Sequence, residues 1–219
     1  MGELFTWINF KFLLEGLLLT IVISLVSILL SLVIGTVLAL MRRSHNSLLA
    51  ALATIYIEVF KNTPLLLWIM FIFFIVQLPP IPSAIAAFTV FTSASMGEII
   101  RGGLSGVHRG QYEAMRSQGF SRFQGYTYII MPQALKNMVP ALLSQAITTI
   151  KDTSFLWSAI AIQELMGRGM ILMNNYNSTL QIFTIFALVG LFYFIICFAL
   201  SLGVRRYQKK YKIPGRVGV

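Results

Sequence analysis

The sequence predicts an all-α membrane protein with about five transmembrane helices, folded as a single domain over residues 1–219. Of its 219 residues, 57% are hydrophobic and only 11% are charged, which leaves too little polar surface for a soluble domain of this size. Apolar stretches of roughly 20 residues, the length that crosses about 30 Å of hydrocarbon, recur along the chain. The Lys and Arg residues lie in short blocks between these stretches, as is typical of a multi-pass protein.

Five apolar stretches are predicted to span the membrane. The first is long enough to tilt or to project from the bilayer. The proline-rich turn QLPPIPS separates the second from the third, and the fourth contains the polar sequence KDTS. The predicted spans are about Leu13–Met41, Leu48–Val76, Ser83–Ile100, Ala134–Ile162 and Thr179–Val204.

Small side chains line one face of the first stretch. Their spacing of three and four residues is helical, and small residues let helices approach closely in lipid. We therefore expect this span to pack tightly against another. The residues are Thr20, Ser24, Ser27, Ser31 and Gly35.

The second stretch is interrupted by the sequence EVFKNTP. Thr63 is expected to be the N-cap of a helix that restarts with Pro64 in its first position. Such a break is tolerated at membrane depth only where protein or a water-filled cavity covers the backbone. Glu58 and Lys61, three residues apart, are placed to pair on the helical face before the break.

The positions of the basic residues predict the orientation. Thirteen of the 17 Lys and Arg residues follow the first span, lie between the third and fourth, or follow the fifth. By the positive-inside rule these regions are cytoplasmic, so the N-terminus is outside and the C-terminus inside. Lys11 and Arg168 lie on the opposite side. The same distribution accounts for the net charge of +10, so no nucleic-acid partner is expected.

Residues 105–132 are predicted to form two short cytoplasmic helices. The sequence YEAMRSQG is expected to be a helix that ends at Gly119, and Ser121 and Gln124 have the spacing of a capping box for the second helix. Apolar side chains placed here, where no lipid requires them, indicate a protein partner. The alternative is an amphipathic element that lies on the membrane surface. The apolar residues are Tyr112, Ala114, Met115, Phe120 and Phe123.

This segment resembles the EAA motif of bacterial ABC importer permeases. The spacing of the motif holds throughout. Met115 stands at its third position and Met131 at the position of its Leu, and both are apolar replacements. The matching residues are Glu113, Ala114, Gly119, Ile129 and Pro132.

Two further stretches are similar to signatures of the polar amino-acid permeases, the histidine, glutamine and glutamate type. One is EVFKNTPLL, in which the residues around the break are Glu58, Lys61, Asn62, Thr63 and Pro64. The other is KDTS, Lys151 to Ser154. The whole resemblance covers about Thr20 to Arg206.

The resemblance implies the permease core of a type I ABC importer, a transport subunit that is not itself an enzyme. In that family the EAA segment docks on a cytosolic ATPase dimer, which here implicates Glu113, Ala114, Met115, Gly119 and Pro132. ATP and Mg²⁺ would bind the ATPase, and this chain, which has no G-x-x-x-x-G-K-[ST] run, is expected to bind no cofactor. The implied location is the bacterial cytoplasmic (inner) membrane.

The resemblance also implies a second permease subunit and a separate extracytoplasmic amino-acid-binding protein. In FTSASMGE, Phe91 and Ser95 stand where many members have Asn and Tyr-like residues. This version is similar to subunits that pair with a non-identical permease. A heterodimer is therefore expected, with an identical partner as the alternative.

Lys151 and Asp152 are the candidate substrate pair. An ionisable residue within a span costs about 2.5 to 3.5 kcal/mol, so each should face a partner or an aqueous path. An α-amino acid carries an ammonium and a carboxylate, and Gln145 and Thr149 add neutral hydrogen-bonding groups about one turn earlier. Alternatively, the charged pair binds neighbouring helices or the other permease. Glutamine, glutamate and aspartate are the expected substrates, in that order.

Glu98 is a further candidate for the transport pathway. Arg101 lies one turn later, so an ion pair at the cytoplasmic end of the span is expected in preference to a substrate contact. His45 and His108 fall in cytoplasmic connections and do not face each other on spans, so no metal site is expected.

Two functions of other classes are alternatives to a transport subunit. An intramembrane enzyme would need a nucleophile and base or a metal constellation, and the sequence contains neither HExxH nor GxSxG. A passive channel would leave the two cytoplasmic helices without a role.

Overall fold

The computed structural model describes residues 5–211, which are mostly helical and include no β-strand. The predicted all-α class is therefore confirmed. The predicted domain of residues 1–219 extends past the described residues. Two of the cations counted after the fifth predicted span, Lys212 and Arg216, also lie outside them. Two π-helical segments, Ile72–Val76 and Tyr126–Ile130, continue neighbouring helices. The α-helices are α1 (Trp7–Arg42), α2 (Ser47–Lys61), α3 (Leu65–Phe71), α4 (Pro80–Ser105), α5 (Arg109–Ser117), α6 (Arg122–Gly125), α7 (Met131–Asp152), α8 (Phe155–Ile160), α9 (Leu165–Asn174) and α10 (Thr179–Lys210).

Within residues 5–211, three helices are long and apolar enough to cross a membrane: α1, α4 and α10. A fourth span results if the bent pair formed by α2 and the Leu65–Val76 segment counts as one. The remaining predicted span, the fourth, corresponds to α7, whose 22 residues extend about 33 Å but are too polar to be counted with these helices. The predicted fourth span does not continue to Ile162, because α7 ends at Asp152 and α8 is a separate helix.

The predicted break in the second stretch is a bend of 101° between α2 and the Leu65–Val76 segment. Thr63 is not the N-cap of α3, since its hydroxyl donates to the Val59 carbonyl and accepts from the Trp68 indole N–H at 2.7 Å. Pro64 occupies the cap position itself, and α3 begins one residue later. The hydroxyl is thus used to bridge the break.

Glu58 does not pair with Lys61 as the spacing suggested. Its carboxylate accepts a hydrogen bond from the Asn62 side chain at 3.0 Å and lies 3.6 Å from the Arg42 guanidinium. Asn62 also donates to the backbone carbonyl of Glu58, which closes the end of α2. Lys61 is exposed.

The predicted stripe of small residues packs α1 against α4. Ser27 and Ser31 donate to backbone carbonyls of α4, and Ser31 reaches Thr89 at 3.1 Å. At Gly35 a methyl group would lie only 2.9 Å from the Gly97 backbone nitrogen, so neither position has room for a larger side chain. Close backbone approach of this kind is how helices associate in lipid, and the packing prediction is confirmed.

Candidate functional site

The first short helix of the 105–132 segment, α5, ends where the sequence predicted. Gly119 has φ +74°, the left-handed conformation that glycine adopts without steric cost. The Gly119 N–H donates to the Arg116 carbonyl at 3.1 Å, and the Phe120 N–H donates to the Met115 carbonyl at 3.3 Å. These two bonds form a Schellman motif, which satisfies the last carbonyls of α5 and reverses the chain.

The second short helix, α6, begins with the predicted capping box. The Gln124 N–H donates to the Ser121 hydroxyl at 3.3 Å, and the Ser121 N–H donates to the Gln124 side chain at 3.1 Å. Helical backbone then continues through the π-helical segment into α7. Pro132, in the first turn of α7, has no N–H to donate, and the wider π-helical turn precedes it.

Met115 was predicted to contact a partner, but it is buried, with only 3% of its surface exposed, and is not available for docking. It lies over Gly125, where an added methyl group would overlap the Met115 sulfur. Met115 also belongs to an apolar cluster with Ala39 of α1, Ile100 of α4 and Ile130. It therefore fixes the angle of the helical corner, by which we mean residues 109–125.

The exposed apolar side chains of the helical corner are fewer than the sequence suggested. Ala114 is exposed, and Phe120 and Phe123 are 38% and 79% exposed. Tyr112 is half-buried, since its hydroxyl donates to the Leu104 carbonyl at 2.9 Å. The available contact surface thus centres on the turn after Gly119.

Glu113 is not in the first turn of its helix. The helix begins at Arg109, capped by the His108 imidazole, which accepts from the Gly110 N–H at 3.2 Å. Glu113 instead lies 3.3 Å from the Arg109 guanidinium, and both side chains are well exposed. Its charge therefore does little for the helix dipole and remains accessible to a partner.

Lys151 and Asp152 lie together at the last turn of α7. Lys151 is exposed and Asp152 half-buried, and neither forms an ion pair with another described residue. Gln145 is half-buried on the same helix. Thr149 is not turned toward an open path, because it is buried, bonds the Gln145 carbonyl and lies 3.4 Å from Thr92 of α4.

Glu98 is separate from this pair. Thr92 of α4 lies opposite Thr149 of α7. Glu98 follows Thr92 by six residues, toward the helical corner, and Asp152 follows Thr149 by three residues, away from the corner. About 13 Å along the helix axes therefore separates Glu98 from Asp152. The Glu98 carboxylate accepts from Arg101 at 2.9 and 3.0 Å and is also bonded by Arg42. The predicted pair with Arg101 is present, and Glu98 ties α4 to α1.

Glu164 is the residue that sequence reasoning missed. Its side chain is fully buried and caps α9, with the Gly167 N–H at 2.8 Å and the Met166 N–H at 3.0 Å. The Thr20 hydroxyl of α1 and the Tyr193 hydroxyl of α10 donate to the same carboxylate at 3.1 and 2.7 Å. The sequence signal that could have indicated this residue is an acid within an apolar stretch, three residues before a glycine.

Glu164→Ala is expected to destabilise the fold by about 3 kcal/mol, because it leaves four donors, two of them in buried hydrogen bonds and two in part-buried ones, without their acceptor. Glu164→Gln keeps an acceptor oxygen and is expected to cost about 1 kcal/mol. The thermal unfolding of the two variants in detergent compares them directly. Equal midpoints for both would show that the carboxylate hydrogen bonds do not hold these helices.

The comparisons with known proteins agree with one another. The family described as "Binding-protein-dependent transport system inner membrane component" matches residues 31–213. The probable glutamine ABC transporter permease protein GlnP of Bacillus subtilis is 40% identical over 91% of this chain and 94% of its own. The glutamine transport system permease protein GlnP of Escherichia coli K12 is 33% identical over 94% and 96%. The crystal structure of an amino acid ABC transporter with histidines has a TM-score of 0.83 at 28% identity, covering 91% of this chain and 94% of that one.

Proposed function

The chain belongs to the binding-protein-dependent transport system inner membrane components, and from that membership we propose that it is the permease subunit of an ATP-driven importer for a polar amino acid. Glutamine is the first candidate substrate, followed by glutamate and aspartate. Two similar proteins are named as glutamine permeases, which supports this order. The chain would act in the bacterial cytoplasmic membrane.

The helical corner is the single observation that carries the assignment of an ATPase contact. Gly119 and the buried Met115 hold it in one shape, while Phe123 is largely exposed at its turn. A rigid turn with an exposed aromatic anchor is suited to a groove on a protein partner. We assign that groove to a cytosolic ATPase dimer, which would bind ATP and Mg²⁺.

The transport pathway would include Lys151 and Asp152. Their opposite charges match the carboxylate and the ammonium of an amino acid, and neither is neutralised by another described residue. Gln145 lies nearer the helical corner on the same helix and can add a neutral hydrogen bond. A second permease subunit, non-identical or identical, would complete the pathway, and an extracytoplasmic binding protein would deliver the substrate.

The test is co-purification followed by ATP hydrolysis. The tagged chain should retain an ATPase from detergent-solubilised membranes, and glutamine with its binding protein should stimulate hydrolysis by the reconstituted complex. Solute flux that needs no ATP would instead support a channel, and turnover of a substrate by the chain alone would support an enzyme.

The orientation is tested with reporter fusions. A reporter after Val219 and one within residues 105–111 should both be cytoplasmic, because the flanking regions carry most of the positive charge. A reporter within residues 79–83 should be exported. An exported fusion at Val219 would reverse the orientation and remove the helical corner from the reach of a cytosolic ATPase.

A further inference from the structure

The last turns of α10 carry a dense group of cations that the transport function does not use. Arg205, Arg206, Lys209 and Lys210 lie within six residues of one another, and their i,i+4 spacing forms two adjacent rows on the helix. All four are exposed, and none forms an ion pair with a described residue. Because like charges at this spacing repel one another, an anion bound here would relieve the repulsion.

The length of α10 indicates where these cations lie. Its 32 residues extend about 48 Å, well beyond the roughly 30 Å of hydrocarbon. Phe183, Phe186, Phe194 and Phe198 are exposed along its apolar part, as expected of a helix that faces lipid. The polar turns that follow are therefore at the depth of the phospholipid headgroups.

Aromatic and basic residues from two helices converge at this depth. The rings of Tyr207 and Tyr211 lie 4.6 Å apart, and the Lys136 ammonium of α7 is 5.5 Å from the centre of the Tyr211 ring. Tyrosine is favoured at the membrane–water interface because its ring is apolar and its hydroxyl is polar. A fifth cation, from a second helix, thus joins the group.

We propose that Arg205, Arg206, Lys209, Lys210 and Lys136 form a binding surface for the headgroups of anionic phospholipids. A guanidinium can hold a phosphate through two parallel hydrogen bonds, and each ammonium adds a point charge. Clusters of four to eight basic residues next to a transmembrane helix characteristically bind anionic lipid. The surface would anchor α10, which packs mainly on α7 and α9 and leaves most of its length exposed.

The experiment measures lipid binding to the full chain, purified in detergent with its co-purifying subunits. Native mass spectrometry with phosphatidylglycerol or phosphatidylcholine counts the bound lipids of each kind. The wild type should prefer phosphatidylglycerol, and replacing all four α10 cations by Gln should weaken phosphatidylglycerol binding on the order of ten-fold or more. Higher ionic strength should reduce the preference, since salt screens exposed charges.

Two variants serve as matched controls. Arg205→Lys with Arg206→Lys keeps the charge and should keep the preference, and Lys11→Gln removes a cation near the other end of the bundle and should also keep it. Lys209→Gln with Lys210→Gln gives a milder change if the fourfold variant is poorly assembled. Equal binding of the two lipids by wild type, or an unchanged preference in both Gln variants, would overturn the proposal.

A protein partner for the same surface predicts a different result. If the cations bound the ATPase, the fourfold variant would lose the ATPase in vesicles of pure phosphatidylcholine. Its preference for phosphatidylglycerol over phosphatidylcholine would be unchanged. That outcome would also overturn the proposal. Because the readout is lipid binding, it is independent of which amino acid is transported.

Discussion

Gly119→Val is expected to abolish coupled transport while the spans still fold and assemble. The φ of +74° is unfavourable for most residues with a Cβ by about 1 to 2 kcal/mol, and more for a β-branched one. A Cβ at this position would meet no atom within 4 Å, so the effect comes from the backbone and not from a clash. Loss of the left-handed turn would release the Schellman bonds and redirect Phe120 and Phe123.

The measurement compares uptake, ATPase retention and ATP hydrolysis in the same membranes. Gly119→Asn is the matched control, because Asn is near Val in size but tolerates the left-handed conformation. It should retain most of the uptake. Glu113→Lys should have a weaker effect than Gly119→Val, since it reverses one exposed charge. Normal uptake and normal ATPase retention in Gly119→Val would show that the helical corner is not the coupling element.

Asp152→Asn is expected to lower amino-acid uptake by on the order of ten-fold or more while the complex remains assembled. The amide keeps the size of the side chain but removes the negative charge that would pair with the substrate ammonium, and a charge-assisted bond contributes about 1.5 to 3 kcal/mol. No described residue is left unpaired by the change, because Asp152 forms no ion pair within residues 5–211.

Uptake of labelled glutamine by vesicles, normalised to the amount of co-purified complex, is the measurement for this variant. Asp152→Glu keeps the charge and should be less damaging than Asp152→Asn. If the complex itself disappears from the membrane in Asp152→Asn, the aspartate holds helices or subunits together, and the alternative structural role stated from the sequence is correct.

Structural features that depend on only a few neighbouring residues were predictable from the sequence. The apolar character of α1, α4 and α10 follows from hydropathy, and the stop at Gly119 and the Ser121 capping box follow from local backbone chemistry. The stripe on α1 was likewise predictable, because helical spacing alone places small residues on one face.

Features that depend on distant residues were not predictable. Glu164 is bonded by Thr20, 144 residues away, and by Tyr193, 29 residues away, and no local pattern records such partners. Met115 is buried because it meets Gly125 across the turn, although its position in the motif suggested an exposed contact. Thr63 had the spacing of a cap, but the Trp68 indole and the Val59 carbonyl engage its hydroxyl.

The helical path from Arg122 to Asp152 is continuous and joins the helical corner to the charged pair, with Pro140 inside it. Met138 packs against Gly103 of α4, where a methyl group would lie 2.7 Å from the Met138 Cβ. This tight contact is a point about which the helix can pivot, with about 20 Å of helix on either side. A tilt about it moves Phe123 and Asp152 through similar distances in opposite directions. If this helical path tilts as one body, a displacement of a few ångströms at the helical corner is accompanied by an opposite displacement of similar size at the charged pair.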